Sequence, residues 1–227
     1  MAIFLLPGMG ATHEMYPAPW QELPEVHLLN WPRDFKGTTL TDLAHFMIRE
    51  HRIHSGDIVV GSSLGGMVGC EISKIIELRH LLLLGSATHP REIPGIYRHL
   101  SPLLKIIPLS ALIRASAVIP GQLASMVSQS SAKFIRITTT AIFEWQGHRS
   151  AIPLYRIHGS QDWLIPHPEK VDLTLNGGHL IASTHARQCT DAIRALIKDV
   201  LLPGNASHSK VPFSEGNGRT LPTVGPD

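Results

Sequence analysis

Short runs of apolar residues alternate along the chain with longer segments of helical periodicity, and this alternation limits the possible folds more than any other feature. Several of the runs are nearly continuous in apolar character, which is typical of strands covered on both faces. Strands separated by helices favour a parallel sheet with right-handed crossovers. The sequence therefore predicts an α/β protein with a mostly parallel sheet of about six strands, at Ala2–Leu6, Val26–Asn30, Asp57–Gly61, His80–Leu84, Leu154–His158 and Val171–Leu175.

Helical patterns flank these strands on both sides. Apolar residues recur at steps of three and four in the last pattern, which indicates one buried stripe on a helix. The predicted helices are Leu40–His54, Leu64–Leu78 and Ile181–Leu201.

Two segments interrupt the alternation of strands and helices. Residues 91–150 contain no good strand, only short helical patterns separated by prolines, and we expect them to form a helical cap inserted into the core. The core would then consist of residues 1–90 and 151–202. Residues 203–227 are rich in Pro, Gly, Ser, Thr and Asn, and we expect this tail to be disordered because it has too few apolar groups to offset the entropy of ordering.

The stretch "DIVVGSSLGGMVG" places a serine between glycines at the predicted end of the third strand. Gly61 and Gly65 lie two residues on either side of Ser63, whereas Ser62 has no glycines at those positions. A serine at a tight strand-to-helix turn lies in a strained backbone conformation that exposes its hydroxyl group. The spacing therefore identifies Ser63 as a candidate nucleophile.

A serine hydroxyl needs a general base, and the base needs a carboxylate that orients it. His179 directly follows the last predicted strand, after two glycines that we expect to let the backbone turn its ring inward. Asp162 directly follows the fifth strand. Asp34 and Glu92, which also follow strands, remain alternatives for the carboxylate. The chain order Ser63, Asp162, His179 matches the order of such triads when the serine lies at a strand-to-helix turn.

Acyl transfer also needs hydrogen-bond donors for an oxyanion. The backbone N–H of Leu64, next to the candidate nucleophile, is one such group. The loop "LPGMG" leaves the first strand, and its glycines permit a close turn that places the N–H of Met9 as a second donor. We therefore expect an oxyanion hole formed by Met9 and Leu64.

Four motifs together resemble those of the α/β-hydrolase fold family. They are "LPGMG" for the oxyanion loop, "GSSLGG" for the nucleophile elbow, "IHGSQDWLIP" for the acid turn and "GGHL" for the histidine turn. The resemblance runs from Ala2 to about Leu201 and implies a serine esterase that needs no cofactor and acts on a small-molecule ester. It leaves open a lyase on the same fold and a ligand-binding receptor that retains the triad.

Composition narrows the possible partners and location. The formal net charge is +2 and no compact basic run occurs, so we expect no nucleic-acid binding. The apolar run at the start lacks a basic leader, and no stretch reaches the length needed to span a bilayer. We therefore expect a cytoplasmic protein without stable membrane insertion, whose two cysteines, Cys70 and Cys189, are buried thiols.

Overall fold

Six parallel strands form one sheet in the computed structural model, which describes residues 1–95 and 132–201. Every neighbouring pair of strands is parallel. The predicted number of strands and their parallel arrangement are confirmed, with strand ends shifted by a residue or two. The strands are β1 (Ile3–Leu6), β2 (Val26–Leu28), β3 (Ile58–Ser62), β4 (His80–Leu84), β5 (Leu154–Gly159) and β6 (Leu173–Leu175).

Helices connect the strands and cover both faces of the sheet. The helices of the described residues are α1 (Ala18–Gln21), α2 (Leu40–His51), α3 (Leu64–Ile75), α4 (Ala132–Glu144), α5 (Ile181–Thr184) and α6 (Ala186–Leu201), with single 3-10 turns at His13–Met15 and Pro90–Glu92. The helix predicted from residue 181 to 201 is divided at His185, whose backbone leaves helical geometry.

Two apolar cores lie on opposite faces of the sheet because successive side chains of a strand alternate in direction. In β1, Phe4 and Leu6 belong to one core, and Ile3 and Leu5 belong to the other. The first core adds side chains of α2, α3 and α4, including Leu43, Met47, Val68, Ile72 and Phe134. The second adds side chains of α1 and α6, including Trp20, Cys189, Ala192 and Ile193.

The strand order β2-β1-β3-β4-β5-β6 places a topological switch point between β1 and β3. From β1 the chain first moves to one side of the sheet and then returns to build the other side. In sheets of this kind, ligands bind at the carboxyl ends of the strands beside the switch point. The loop after β1 and the residue after β3 therefore lie where a site is expected.

A close approach of α3 to β1 depends on Gly65. A Cβ atom at Gly65 would lie 2.2 Å from the carbonyl oxygen of Leu6, and one at Gly61 would lie 2.2 Å from the carbonyl carbon of Gly65. These contacts are with backbone atoms, which cannot rotate away as a flexible side chain can. The glycines flanking Ser63 thus allow the strand, the turn and the helix to pack at this distance.

Other expectations from the sequence concern the cysteines, the membrane and the domain boundaries. Cys70 and Cys189 are buried free thiols, and burial raises the pKa of Cys189 to about 12. In the part of the chain that the structure describes, no helix has both the length and the apolarity to cross a bilayer. Most of the predicted cap (91–150) and the predicted tail (203–227) lie outside the described residues, so the division into core, cap and tail stays a prediction.

We predict that Gly65→Ala lowers the free energy of unfolding by about 1–3 kcal/mol or more, because the added methyl group must displace backbone atoms of β1. Helix propensity alone favours Ala over Gly by about 0.5–1 kcal/mol, so a loss of stability would have to come from this collision. Urea denaturation followed by circular dichroism measures the change.

Gly95→Ala is the matched control, since a Cβ atom at Gly95 meets no atom of residues 1–95 or 132–201 within 4 Å. We expect the control to unfold at the same urea concentration as the parent chain. Equal stability of the Gly65 and Gly95 variants would contradict the close approach of α3 to β1.

Candidate active site

Ser63 forms the whole turn between β3 and α3. Its backbone has φ 51° and ψ −117°, a conformation that L-residues rarely adopt and that requires support from the surrounding structure. The Ser63 N–H donates to the carbonyl of Leu84 over 3.1 Å, and the Ser63 carbonyl accepts the N–H of Gly66 over 3.0 Å. The Ser86 hydroxyl donates to the same carbonyl over 2.6 Å. Hydrogen bonds on both sides thus hold the strained turn in place.

The structure brings the side chains of Ser63, His179 and Asp162 into one hydrogen-bonded row. The Nε2 atom of His179 lies 3.0 Å from the Ser63 Oγ atom, although the two residues are 116 positions apart. The Nδ1 atom of the same ring lies 2.8 Å from Asp162 Oδ2. This arrangement suits a nucleophile, a base and an orienting carboxylate.

Asp162 is a buried carboxylate with several donors. Its Oδ1 atom accepts the backbone N–H groups of Leu164 and Ile165, each over 3.0 Å. Burial alone would raise the pKa of Asp162, but hydrogen bonds from His158 and His179 outweigh it and hold the pKa well below its usual range. The side chain therefore carries a negative charge at neutral pH.

The two alternative carboxylates are placed elsewhere. Both oxygens of Glu92 bind the guanidinium of Arg156, over 2.7 and 3.2 Å, and also accept from Thr88. Asp34 lines a surface groove beside α2. Among the three carboxylates considered from the sequence, Asp162 is the one within hydrogen-bond distance of His179.

The loop after β1 lies directly against Ser63. A Cβ atom at Gly8 would be 3.7 Å from the Ser63 Cβ atom. The N–H of Gly8 donates to the sulfur of Met15 over 3.2 Å, and its carbonyl accepts the indole N–H of Trp31 over 2.9 Å. The peptide that precedes Met9 is therefore held firmly on one side of the elbow.

The backbone N–H groups of Met9 and Leu64 donate to no acceptor within the described ranges. The N–H of Leu64 belongs to the first turn of α3, where helices leave donors unpaired.

The glycines before His179 act differently from the sequence-based expectation. Neither Gly177 nor Gly178 has a positive φ, so the turn does not need the left-handed region. A Cβ atom at Gly177 would instead lie 2.5 Å from the ring of His185. Gly177 provides space for that ring at the point where α5 ends.

Sequence reasoning missed two residues, Ser86 and Arg156, that support the turn at Ser63. The carbonyl of Ser86, the residue whose hydroxyl binds the Ser63 carbonyl, accepts Nη2 of Arg156 over 3.0 Å. Arg156 is buried in β5, and its ion pair with Glu92 places the loop after β4. A charged residue inside a predicted buried strand was the signal that could have revealed this contact.

No group of three or more His, Cys, Asp or Glu side chains among the described residues is placed to hold a metal ion.

Comparison with solved structures identifies the fold. A thermophilic esterase from Thermogutta terrifontis matches with a TM-score of 0.69 and 15% identity over 88% of this chain and 90% of that chain. A hydrolase from Oleispira antarctica matches with a TM-score of 0.71 and 12% identity over 87% and 91%. An enol-lactonase from Burkholderia xenovorans matches with a TM-score of 0.71 and 14% identity over 86% and 90%. The chain therefore has the α/β-hydrolase fold, as its motifs predict.

Comparison by sequence adds no relative. No model of a known protein family matches the chain, and no curated protein matches it either.

We predict that the Glu92–Arg156 pair makes stability depend on pH. Burial would raise the pKa of Glu92, but hydrogen bonds from Arg156 and Thr88 outweigh it and hold the pKa below its ordinary value of 4.5. A lowered pKa in the folded state means that the ionised group stabilises the fold above about pH 4.5 and that this contribution is lost as the pH falls through the folded-state value.

Glu92→Gln tests this dependence. Near pH 7 the variant should have a free energy of unfolding about 1.5–3 kcal/mol below that of the parent chain, and the gap should shrink towards about pH 3. Urea titrations across this range measure the gap. Glu169→Gln, at an exposed position, is the control and should show a small gap at every pH. A gap for Glu92→Gln that stays constant with pH would contradict the ion-pair interpretation.

Proposed function

We propose that the chain is a serine hydrolase that cleaves small or medium acyl or aryl esters through an acyl-enzyme. The observation that carries this proposal is the row of contacts from Ser63 Oγ to His179 Nε2, 3.0 Å, and from His179 Nδ1 to Asp162 Oδ2, 2.8 Å. The strained turn at Ser63 supports it, because such strain is typical of functional sites.

In the proposed reaction His179 acts as the general base. The buried carboxylate of Asp162 accepts the Nδ1–H of His179, which leaves the lone pair of Nε2 facing the Ser63 hydroxyl. His179 takes the hydroxyl proton as Ser63 attacks the ester carbonyl, and it then returns the proton to the leaving alcohol. Water releases the acyl group by the same route.

The unpaired N–H groups of Met9 and Leu64 are the proposed oxyanion hole. The negative charge of the tetrahedral intermediate develops on the former carbonyl oxygen, and donors fixed in advance stabilise it without reorganisation. Each such donor contributes about 2.7–4 kcal/mol to transition-state stabilisation. The contacts that hold Gly8 in place support this role for the neighbouring N–H of Met9.

The small-ester preference is supported by the packing of α4 against the loop after β1 and its neighbour Trp31. The hydroxyl of Thr139 in α4 lies 3.7 Å from the sulfur of Met9. The ring of Phe134, also in α4, lies 5.7 Å from the ring of Trp31, whose indole binds the Gly8 carbonyl. Side chains of α4 thus reach close to the proposed oxyanion hole, which favours short apolar acyl groups.

The structural neighbours support ester cleavage as the reaction to test first. Those compared above include an esterase and an enol-lactonase, and both names denote cleavage of an ester bond. The proposal also includes a small-molecule substrate, a cytoplasmic location and a cap formed by residues 91–150.

We predict that a fluorophosphonate probe labels Ser63 and that Ser63→Ala abolishes the labelling, because Ser63 Oγ is the one hydroxyl group of the described residues that lies at Nε2 of His179. The same change should lower kcat/KM for p-nitrophenyl acetate about 10⁴-fold or more. Peptide mapping of the adduct and initial rates are the measurements.

Ser62→Ala is the matched control, since Ser62 is the neighbouring serine and is buried in β3. We expect it to keep the adduct at Ser63. An adduct on another residue, or cleavage of cyanohydrins without any ester hydrolysis, would contradict the proposed function.

We also predict the acyl-chain preference. Over a series of p-nitrophenyl esters from acetate to decanoate, kcat/KM should be highest for the short and medium chains, because α4 packs against Met9 beside the proposed oxyanion hole. Initial rates measured at a single pH in a detergent-free buffer give the dependence of kcat/KM on chain length. A maximum at decanoate would overturn the small-pocket part of the proposal and leave the role of Ser63 intact.

A further inference from the structure

His158 is a second histidine in contact with the carboxylate of Asp162. It lies near the end of β5, four positions before Asp162, and is 1% exposed. Its Nε2 atom lies 2.8 Å from the carbonyl oxygen of Ile165 and 3.2 Å from Asp162 Oδ2. The His158 ring therefore contacts both the carboxylate of Asp162 and, at Ile165, the end of the turn that carries it.

The surroundings of His158 decide where its proton is located. Both neighbours of Nε2, the Ile165 carbonyl and the Asp162 carboxylate, are acceptors, so Nε2 must carry a hydrogen. The Nδ1 atom is buried and has no hydrogen-bond partner among the described residues. An apolar side chain of similar size would have no unsatisfied nitrogen, but it would also donate nothing to the Ile165 carbonyl or to Asp162.

His158 and His179 approach the same oxygen of the carboxylate. Asp162 Oδ2 lies 2.8 Å from His179 Nδ1 and 3.2 Å from His158 Nε2, while Asp162 Oδ1 accepts two backbone N–H groups. The positive end of the His158 N–H dipole therefore competes with His179 for one carboxylate oxygen. Such competition weakens the attraction of the carboxylate for a protonated His179.

Among the described residues, His167 and Gly85 lie close to the pair of His158 and Asp162. The ring of His167 lies 5.7 Å from the ring of His158, and its Nε2 atom contacts the hydroxyl of Thr174, the β6 residue paired with His158. From the side of β4, Gly85 faces the carboxylate, since a Cβ atom there would lie 3.5 Å from Asp162 Oδ2. His167 is thus the additional titratable group that faces His158 from the described elements packed against it.

We propose that His158 is a positioning residue that holds Asp162 through its Nε2–H and thereby sets the pH at which the His179 base becomes active. This inference rests on the proposed function of the same site. The polar contacts of His158 are with the Ile165 carbonyl and the Asp162 carboxylate, so it acts through Asp162.

A pair of substitutions separates the N–H group from the volume of the ring. His158→Phe keeps a ring and removes the donor, whereas the side-chain amide of His158→Gln retains a donor at a similar distance. We expect His158→Phe to lower kcat about tenfold with little change in KM. In a plot of kcat/KM for p-nitrophenyl acetate against pH, the acidic limb of this variant should move to higher pH by about half a unit or more.

His158→Gln should return both kcat and the acidic limb towards the parent values. His167→Phe is the control in the same cluster, and we expect it to leave the limb in place because His167 does not contact Asp162. An unmoved limb in folded His158→Phe would overturn the proposal. Equal behaviour of the Phe and Gln variants would also overturn it, since it would assign the effect to packing.

A second measurement does not depend on activity, and it tests the proposal even if His158→Phe does not fold. In the Ser63→Ala background, the titration midpoint of the His179 ring is followed by proton NMR with and without His158→Gln and His158→Ala. We expect a higher midpoint with Ala and a near-parent midpoint with Gln. Identical midpoints would overturn the role of His158 even if ester hydrolysis is confirmed. A shifted midpoint in a protein without esterase activity would instead refute the proposed function alone.

Discussion

At the junction of β3 and α3 the chain reverses direction within a single residue, Ser63, whose φ of 51° is rarely adopted by a residue with a side chain. Other parts of the site are arranged around this turn. Gly65 lets α3 approach the carbonyl of Leu6, and that approach places the loop after β1 beside Ser63. The strain is sustained because the backbone on both sides of the turn is hydrogen-bonded to β4 and to Ser86.

Buried charges connect the site to the rest of the sheet. Arg156 lies in β5, where an isolated charge would be costly, but its guanidinium is paired with Glu92 and also binds the Ser86 carbonyl. Asp162 is likewise buried and satisfied by two backbone N–H groups and two imidazole rings. Removing a partner of Arg156 or of Asp162 would leave a buried charge without compensation. These contacts therefore hold the loops at this edge of the sheet in one arrangement.

Much of the fold could be predicted because its signals are local. Continuous apolar runs identify strands covered on both faces, and the alternation with helices implies a parallel sheet. The sequence does not reveal the division of the last helix at His185, because the apolar residues keep their steps of three and four across it. It does not reveal the contact of Ser86 with the Ser63 carbonyl either, since that contact depends on the placement of neighbouring strands.

The sequence by itself determined that the chain alternates strands and helices, that Ser63 lies at a glycine-flanked turn, and which polar residues follow the strands. These properties depend on residue size, apolarity and spacing over a few positions. The tertiary structure alone decided that Asp162, and not Asp34 or Glu92, faces His179, because that choice depends on distances across the sheet edge. It also decided that His158 shares the Asp162 carboxylate, since hydrogen-bond geometry is set by the packing of separate strands and loops.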